Sequence, residues 1–447
     1  MLIVLLSSCG GSSGDADGRI GDDDPNPFDP DLNSSCDVAY QNQWLYNNML
    51  DYYLFYDQVP VVTPQDYASP EELLRAIRFQ ERDPFSHVTA AAESELQFAQ
   101  GREFGLGYRW RFDDLGNARI AQTVAESPFG QAGISRGDII RGVDGLAWDD
   151  PALDEGFIER VFGTPEAPAT ATWQIEDRAT GDVVELQITA AEYAINTVEA
   201  ATAYTHPFHT GKVGYFVFNR FLSTSERELQ DLFTSFNDAG VTDLVVDLRY
   251  NGGGRVYIAE ILASMIGGET LGGKLLYSYQ YNDKYQENNY DLRLLPGYGD
   301  LSLSRVVFLT QRSTASASEI VISGLAPHME VINIGSVTSG KPYVQRGRDR
   351  CDLRLNAVEA EGINAAGVSV FGGVPATCFA ADDITSDFGI DEDGFPEGML
   401  AAALNYLTLG SCEVPVTAKG SAREMDQAAA IDQSSRQGFS AIGGAIR

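Results

Sequence analysis

The sequence has few basic residues. It contains 31 Lys and Arg against 64 Asp and Glu over 447 residues, which gives a formal net charge of −33 at pH 7. The basic residues form no cluster that could follow a phosphate backbone, so the composition argues against a nucleic acid as partner. An acidic surface of this kind favours solubility.

Histidine and cysteine are also scarce. The chain has four histidines and five cysteines. The cysteines show no Cys-x-x-Cys spacing, and the histidines form no ligand motif with each other or with a cysteine. The sequence therefore predicts no metal site and no cofactor.

Long apolar runs are missing, because no stretch approaches the ~20 apolar residues of a transmembrane helix. The first nine residues form a short apolar run that ends in Leu6-Ser-Ser-Cys9. This ending resembles the lipobox of bacterial lipoproteins, which implies that Cys9 is lipidated and that lipid alone holds the protein in the bacterial cell envelope, on the periplasmic or outer-surface side. The run has no positively charged segment before it, so an unstructured start with an unmodified cysteine stays open.

If Cys9 is acylated, four cysteines remain in a compartment that permits disulfides. Four cysteines allow three pairings, and the sequence does not choose among them. Pairing Cys351 with Cys378 would bracket an insertion-like segment. Pairing Cys36 with Cys412 would tie together the two ends of the folded part.

Composition and periodicity predict a multidomain α+β protein. The two ends are polar and poor in apolar residues, which is typical of a disordered tether and a disordered tail. The predicted segments are an acidic tether at 1–35, a helical domain at 36–98, a small β domain at 99–192, a larger α/β domain at 193–414 and the tail at 415–447.

The helical domain is predicted from periodicity and a capping signal. Aromatic residues recur at helical spacing between Trp44 and Tyr56, and Ser69-Pro-Glu-Glu has the composition of a helix start. We interpret the aromatic stripe as packing rather than as a cofactor site.

Short alternating strands and a glycine-rich loop mark the β domain. The loop consists of Phe104, Gly105, Leu106 and Gly107, and it is followed by an Ala-Gly-Ile, Gly-Asp-Ile-Ile and Val-Asp-Gly series between Ser127 and Gly145. Together the two features resemble a PDZ domain. The resemblance implies that backbone N–H groups of the loop bind the terminal carboxylate of a peptide, which adds a strand to the sheet edge. Glycines that serve only tight turns are the alternative.

The α/β domain is predicted from strands that alternate with helices. Buried strands are predicted at 212–218, 244–249, 305–310 and 330–335, and helices at 223–239 and 316–325. This alternation predicts a layered domain with a largely parallel sheet.

Three segments would meet at the carboxyl ends of these strands, where such sheets usually build sites. Asp247-Leu-Arg-Tyr-Asn-Gly-Gly-Gly254 would expose backbone N–H groups after a buried strand. Thr314-Ala-Ser-Ala-Ser-Glu-Ile320 places a serine at a helix start, near the positive end of the helix dipole. A third, glycine-flanked segment between Gly335 and Gln345 carries one lysine. Taken singly, each segment has an ordinary interpretation. The first can be a simple loop, the second can place its serine as a helix N-cap, and the third can carry a solvent-exposed lysine.

Taken together, the three segments are similar, in order and spacing, to the signature of the C-terminal processing, or tail-specific, serine peptidases. That resemblance implies a crotonase/ClpP-like catalytic domain and a Ser/Lys dyad that cleaves unfolded or extended C-terminal tails captured by the PDZ domain. The implied roles are nucleophile for Ser316, general base for Lys341, orientation of the lysine amine for Gln345, and an oxyanion hole from the amides of Ala317 and of Gly252 or Gly253.

This chain departs from the family pattern at two places. Pro327-His328 stands where many members have an acidic residue, and the lysine loop reads Ser-Gly-Lys-Pro. Two alternatives therefore stay open. One is a tricorn-like Ser/His peptidase with His328 or His206 as base, and the other is a catalytically inactive PDZ scaffold. The sequence does not predict the physiological substrate, the cleavage preference or the oligomeric state.

Overall fold

A computed structural model describes residues 36–412 except 151, 154, 206–208, 300, 302 and 392–393. Cys9, His206 and the predicted tether and tail lie outside the described residues. Within the described ranges, no helix is both long enough and apolar enough to cross a membrane.

The described chain contains both helices and strands. The helices are α1 Val38–Asp51, α2 Pro70–Ile77, α3 Ala91–Gln100, α4 Pro128–Gln131, α5 Glu155–Phe162, α6 Ser225–Ala239, α7 Val256–Leu271, α8 Ala317–Leu325 and α9 Gly398–Leu409. The strands of the first half are β1 His87–Ala90, β2 Arg102–Gly105, β3 Tyr108–Phe112, β4 Ala118–Thr123, β5 Ile139–Val143, β6 Leu146–Ala147, β7 Gly163–Thr164, β8 Ala167–Pro168, β9 Thr170–Glu176, β10 Val183–Thr189, β11 Ala191–Ala194 and β12 Val198–Thr205. The remaining strands are β13 Lys212–Phe218, β14 Val241–Asp247, β15 Leu275–Tyr281, β16 Tyr290–Arg293, β17 Arg305–Thr310, β18 Glu330–Gly335, β19 Tyr343–Arg350, β20 Leu353–Asn364 and β21 Cys378–Phe379.

The N-terminal helices α1 and α2 begin at capping side chains. Asp37 accepts a hydrogen bond from the Tyr40 N–H at 2.9 Å, and Ser69 accepts one from the Glu72 N–H at 3.2 Å. The helices do not build a core of their own. Their apolar residues share one cluster with side chains of β19 and β20, among them Leu45, Met49, Leu73, Tyr343, Leu355 and Val358. The N-terminal segment is thereby attached to the hairpin that follows the predicted lysine loop.

The β domain is built on an antiparallel sheet with the strand order β10-β9-β5-β4-β3. Its core packs aromatic rings against each other, with Tyr108 and Phe129 stacked at 4.4 Å and Trp173 edge-on to both. β3 lies at one edge of this sheet, while β2 pairs with β11 in a separate two-stranded ribbon. The glycine-rich loop connects β2 to β3.

The predicted largely parallel sheet is present, with the order β12-β13-β14-β17-β18-β21 and only β12 antiparallel to its neighbour. Side chains of β13 alternate between two cores, because successive residues of a strand point to opposite faces. Phe216 and Phe218 pack with α6, α7 and α8, whereas Tyr215 and Val217 pack with α9. The sheet is therefore covered on both faces.

The disulfides join Cys36 to Cys351 and Cys378 to Cys412. Neither of the two pairings singled out from the sequence is formed. Cys351 lies at the turn between β19 and β20, against which the start of α1 packs, so it meets Cys36. Cys378 begins the edge strand β21 and meets Cys412, which follows α9 on the same face of the sheet.

Candidate active site

The three sequence segments meet at the carboxyl ends of β14, β17 and β18. The carbonyl oxygen of Asn251, in the loop after β14, accepts hydrogen bonds from the Ala315 N–H and the Ser318 hydroxyl, each at 3.1 Å. The Thr314 hydroxyl donates to the carbonyl oxygen of Leu248 at 2.7 Å. These bonds hold the glycine loop against the segment that begins α8.

Ser316 lies at the sharp turn into α8 and is partly exposed. Its backbone angles, φ 56° and ψ −117°, fall in a region that non-glycine residues rarely adopt. An ordinary N-cap residue has extended backbone angles, so Ser316 is held in a strained conformation instead.

The glycine loop lies directly against Ser316. A Cβ atom placed on Gly253 would be 2.8 Å from the Ser316 Cβ and 2.9 Å from the Ala317 nitrogen, so only glycine fits there, at a φ of 98°. The Gly253 N–H donates to the Asn251 side-chain oxygen at 2.9 Å and is therefore occupied. The N–H groups of Gly252 and Ala317 donate to no group that the structure describes, and Gly252 is exposed. Of the two glycines expected as oxyanion donors, the geometry favours Gly252.

Lys341 contacts Gln345 four residues later. The lysine Nζ donates to the Gln345 Oε1, and the ring of Phe85 lies 5.8 Å from the same Nζ. The Gln345 amide nitrogen donates to the carbonyl oxygens of Phe85 at 2.9 Å and Asn356 at 2.8 Å. Because both amide protons are used by carbonyls, the oxygen of Gln345 must face the lysine.

The buried carboxylate of Glu319 joins the backbones of the serine and lysine segments. Its Oε2 accepts from the N–H of Ser316 at 2.8 Å and of Lys341 at 2.9 Å. Its Oε1 accepts from the Thr338 hydroxyl at 2.5 Å and the Gly340 N–H at 2.7 Å. Burial raises the pKa of Glu319, and these four hydrogen bonds pull it back in part.

A buried network of ion pairs includes Arg249, which lies in the segment that leads into the glycine loop. Arg249 contacts Asp247, Asp382 and Glu397, with its NH1 2.6 Å from Asp382 Oδ1. Arg136, from the β domain, reaches the same Oδ1 at 2.6 Å. The network therefore connects the β domain to the loop that carries Gly252.

His328 lies far from this arrangement. It follows α8, at the end opposite to Ser316, and its Nε2 lies 2.7 Å from the carbonyl oxygen of Leu275. A nine-residue helix separates it from the serine, a length of roughly 13 Å. His328 is therefore too remote to act as the base for Ser316.

The residues of the predicted peptide-binding loop lie around the start of β3. Phe104 and Gly105 belong to β2 and pair with β11, and Leu106 is buried. Gly107 has a φ of 73°, and a Cβ atom placed on it would be 2.0 Å from that of Ser127. Only glycine therefore fits at this position, which the conformation of the loop requires.

Two contributors to the site were not identified from the sequence. Glu319 had a usable signal, because Ser316-Ala-Ser-Glu319 has the spacing of a capping box, in which the acid binds the N–H of the first residue. Phe85 had none, since its contact with Gln345 spans 260 residues. Among the described residues, no group of three or more His, Cys, Asp and Glu side chains is arranged to hold a metal ion.

Comparisons with known proteins agree with this arrangement. Residues 212–365 match the model of peptidase family S41, and residues 40–87 match the model of the peptidase S41 N-terminal domain. A probable CtpA-like serine protease from Staphylococcus aureus is 27% identical over 282 residues, which cover 61% of this chain and 52% of the relative. A chloroplastic C-terminal processing peptidase from Tetradesmus obliquus is 27% identical over 272 residues, covering 56% of this chain and 54% of the relative. This chain thus spans about half the length of the curated relatives it matches.

A solved structure resembles most of the described fold. The crystal structure of a putative S41 protease from Bacteroides fragilis is 25% identical, covers 82% of this chain and 97% of its own, and superposes with a TM-score of 0.65. The similarity thus extends beyond the two matched segments.

Proposed function

We propose that this chain, of which residues 40–87 and 212–365 match models of peptidase family S41, is a serine endopeptidase with Ser316 as nucleophile and Lys341 as general base. The observation that carries the proposal is the carboxylate of Glu319. It binds the backbones of Ser316 and Lys341 through a single oxygen and so keeps the two residues together.

The proposed reaction begins with a neutral Lys341 amine. The amine takes the proton of Ser316 Oγ as this oxygen attacks the carbonyl carbon of the scissile peptide bond. Gln345 accepts a hydrogen bond from the amine and so orients it, and Lys341 is partly buried beside the Phe85 ring. The resulting ammonium then protonates the leaving amine, and water hydrolyses the acyl-enzyme by the same route.

The N–H groups of Gly252 and Ala317 would bind the oxyanion of the tetrahedral intermediate. Ala317 follows Ser316, Gly252 precedes the glycine that packs against Ser316, and neither N–H has another acceptor among the described residues. Preorganised donors of this kind typically contribute about 10²–10³ to kcat. The strained turn at Ser316 keeps the Ala317 N–H at the start of α8, where the helix dipole adds to the stabilisation.

The dyad is tested by hydrolysis of an unstructured protein. We expect Ser316→Ala, Lys341→Ala and Lys341→Arg each to abolish cleavage, the last because a guanidinium does not give up its proton near neutral pH. Lys274→Ala, which removes an exposed lysine, is the matched control and should cleave normally. A serine-directed phosphonate should label the wild type and not Ser316→Ala. Normal turnover by Lys341→Ala would exclude the Ser/Lys mechanism, and absence of both labelling and cleavage in the wild type would exclude the peptidase function.

We also propose that the β domain is a PDZ domain that binds the C-terminal tails of unfolded or extended proteins. Its edge strand β3 can pair with a peptide, and the glycine loop directly precedes it. Peptides with apolar, uncapped C-termini should bind best, and amidation should weaken binding by roughly 1.5–3 kcal/mol. Equal affinity for free and amidated peptides would exclude this binding mode.

Attachment to the cell envelope through a lipid on Cys9 is a further part of the proposal. The two disulfides support it, because such bonds persist in oxidising compartments. Cys9→Ser should move the protein from the membrane to the soluble fraction and abolish incorporation of labelled palmitate. A free Cys9 thiol on the native protein would contradict the proposal.

A further inference from the structure

Two arginines between the β domain and the parallel sheet have no anionic partner bound to them. Arg109 of β3 and Arg220 of the loop after β13 are both partly buried. Neither guanidinium donates a hydrogen bond or forms an ion pair with a group in the described part of the chain. This is unexpected in a protein with 64 acidic and 31 basic residues, in which Arg136 and Arg249 each bind carboxylates.

The backbone brings the two arginines to the same place. Arg109 is directly opposite Gln122 in the antiparallel pair of β3 and β4, so the two side chains lie on the same face of that sheet. The Gln122 amide donates to the side-chain oxygen of Asn219, the residue before Arg220. Arg109 therefore faces the loop that carries Arg220.

This loop also borders the active site. The Phe221 N–H donates to the carbonyl oxygen of Gly253 at 3.1 Å, and the Arg255 N–H donates to the carbonyl oxygen of Phe221 at 2.8 Å. Gly253 in turn packs against Ser316. Arg220 is thus one residue away from the backbone that pairs with the glycine loop.

The two arginines create a local positive potential. Burial and the charge of Arg220 lower the pKa of Arg109 to about 10, against an opposing contribution from Glu103. The Glu103 carboxylate is already bound at 3.1 Å by both the Gln97 amide and the Tyr193 hydroxyl. Two like charges held together without a bound anion destabilise the fold, and proteins keep such arrangements mainly at functional sites.

We propose that Arg109 and Arg220 form a subsite that binds a carboxylate of the peptide substrate beside the scissile bond. The inference rests on the proposed peptidase function and adds a determinant of specificity to it. A pair of guanidinium groups binds a carboxylate through charge-assisted hydrogen bonds, whether it is the terminal α-carboxylate or an Asp or Glu side chain. The first source would place cleavage close to the C-terminus, and the second would require an acidic residue at one position of the substrate.

The test uses pairs of peptides that differ in one carboxylate. One pair carries a free or an amidated C-terminus, and the other pairs exchange Glu for Gln at single positions around the cleavage site. We expect kcat/KM of the wild type to favour the carboxylate member of one pair by about tenfold to a hundredfold, the range for a lost charge-assisted hydrogen bond. The pair whose preference the arginine replacements reduce identifies the source of the carboxylate.

Arg109→Gln and Arg220→Gln should each reduce this preference, and the double variant should abolish it, while cleavage of the neutral peptide persists. Arg227→Gln is the matched control, because its side chain is 90% exposed and loses the same charge. The thermal midpoints of the two single variants should equal or exceed that of the wild type, since a like-charge contact is removed. Loss of stability in both variants would instead assign the arginines a structural role.

Binding to the Ser316→Ala protein separates this inference from the peptidase proposal, because binding requires no turnover. Fluorescence anisotropy should show the same preference for the carboxylate peptide, and its loss when both arginines are replaced in that background. Because the proposed PDZ loop itself favours a free C-terminus, the inference is judged by the part of each preference that the double replacement removes. If the double replacement reduces no carboxylate preference, the inference is overturned. Equal binding of all peptide pairs would overturn it as well, whatever the outcome of the cleavage assays.

Discussion

The Oε2 atom of Glu319 lies 2.9 Å from the backbone nitrogen of Lys341, although the two residues are 22 positions apart. The same oxygen accepts from the Ser316 N–H at 2.8 Å. One buried carboxylate thereby sets the spacing between the α8 start and the lysine loop. Small changes in that spacing are expected to lower kcat, because near-attack geometry accounts for a large part of enzymatic rate enhancement.

Glu319→Gln should therefore impair both stability and turnover. The carboxamide replaces one acceptor oxygen with a donor, which faces either the two backbone N–H groups or the Thr338 hydroxyl and the Gly340 N–H. We expect a loss of roughly 2–4 kcal/mol in the free energy of unfolding, because hydrogen bonds to a buried charged group are lost. Glu330→Gln, at an exposed strand end, is the control. Urea unfolding and kcat measured on both variants check the prediction, which unchanged values for Glu319→Gln would refute.

Arg136→Gln should show whether the β domain supports the glycine loop. Its guanidinium lies 2.6 Å from Asp382, which in turn holds Arg249 of that loop. We expect a destabilisation of roughly 2–4 kcal/mol and a fall in kcat that exceeds any change in KM. Arg178→Gln removes a more exposed contact from the β domain to Asp387 in the same C-terminal segment and should lose less than about 1 kcal/mol. Equal effects of the two substitutions would show that the buried network contributes no more to stability and kcat than an exposed ion pair.

The pH dependence of stability should reflect Asp382. Burial raises the pKa of this carboxyl, but the charges of Arg249, Arg136 and Arg111 overcome that effect and hold its pKa well below the ordinary value. A depressed folded-state pKa stabilises the fold above the unfolded pKa of about 3.9, and the contribution is lost as the pH falls through the folded value. Asp382→Asn should therefore lower the thermal midpoint strongly at pH 7 and less at pH 2. A difference from the wild type that stays constant over this range would contradict the assignment.

The two disulfides should differ in their contribution to stability. Cys36–Cys351 closes a separation of 315 residues and Cys378–Cys412 one of 34. The chain-entropy model gives upper values of about 6 and about 4 kcal/mol for these loops. Paired Cys→Ser variants, compared by thermal unfolding and thiol titration, should therefore rank the first bridge above the second. The reverse order would show that effects within the folded state outweigh loop closure.

Local signals in the sequence predicted most of the parallel sheet and the helix that follows Ser316. The strands at 212–218, 305–310 and 330–335 agree with β13, β17 and β18 to the residue, because buried parallel strands are short apolar runs bounded by turn residues. The helix predicted from Ser316 agrees with α8, whose N-cap is Ser316, and it followed from the small residues at the turn. Strand and helix boundaries of this kind depend on residues that are adjacent in the chain, so they can be predicted from the sequence alone.

What the sequence determined by itself is thus the order of the strands along the chain, the helix that begins after Ser316, and the loop position of Lys341. Only the tertiary structure decided that Phe85 lies beside the Lys341 amine, that Cys36 pairs with Cys351, and that the charge of Arg220 acts on Arg109. Each of these contacts joins residues more than 100 positions apart. Their formation depends on how sheets and helices pack around shared cores, and no local period or spacing encodes that packing.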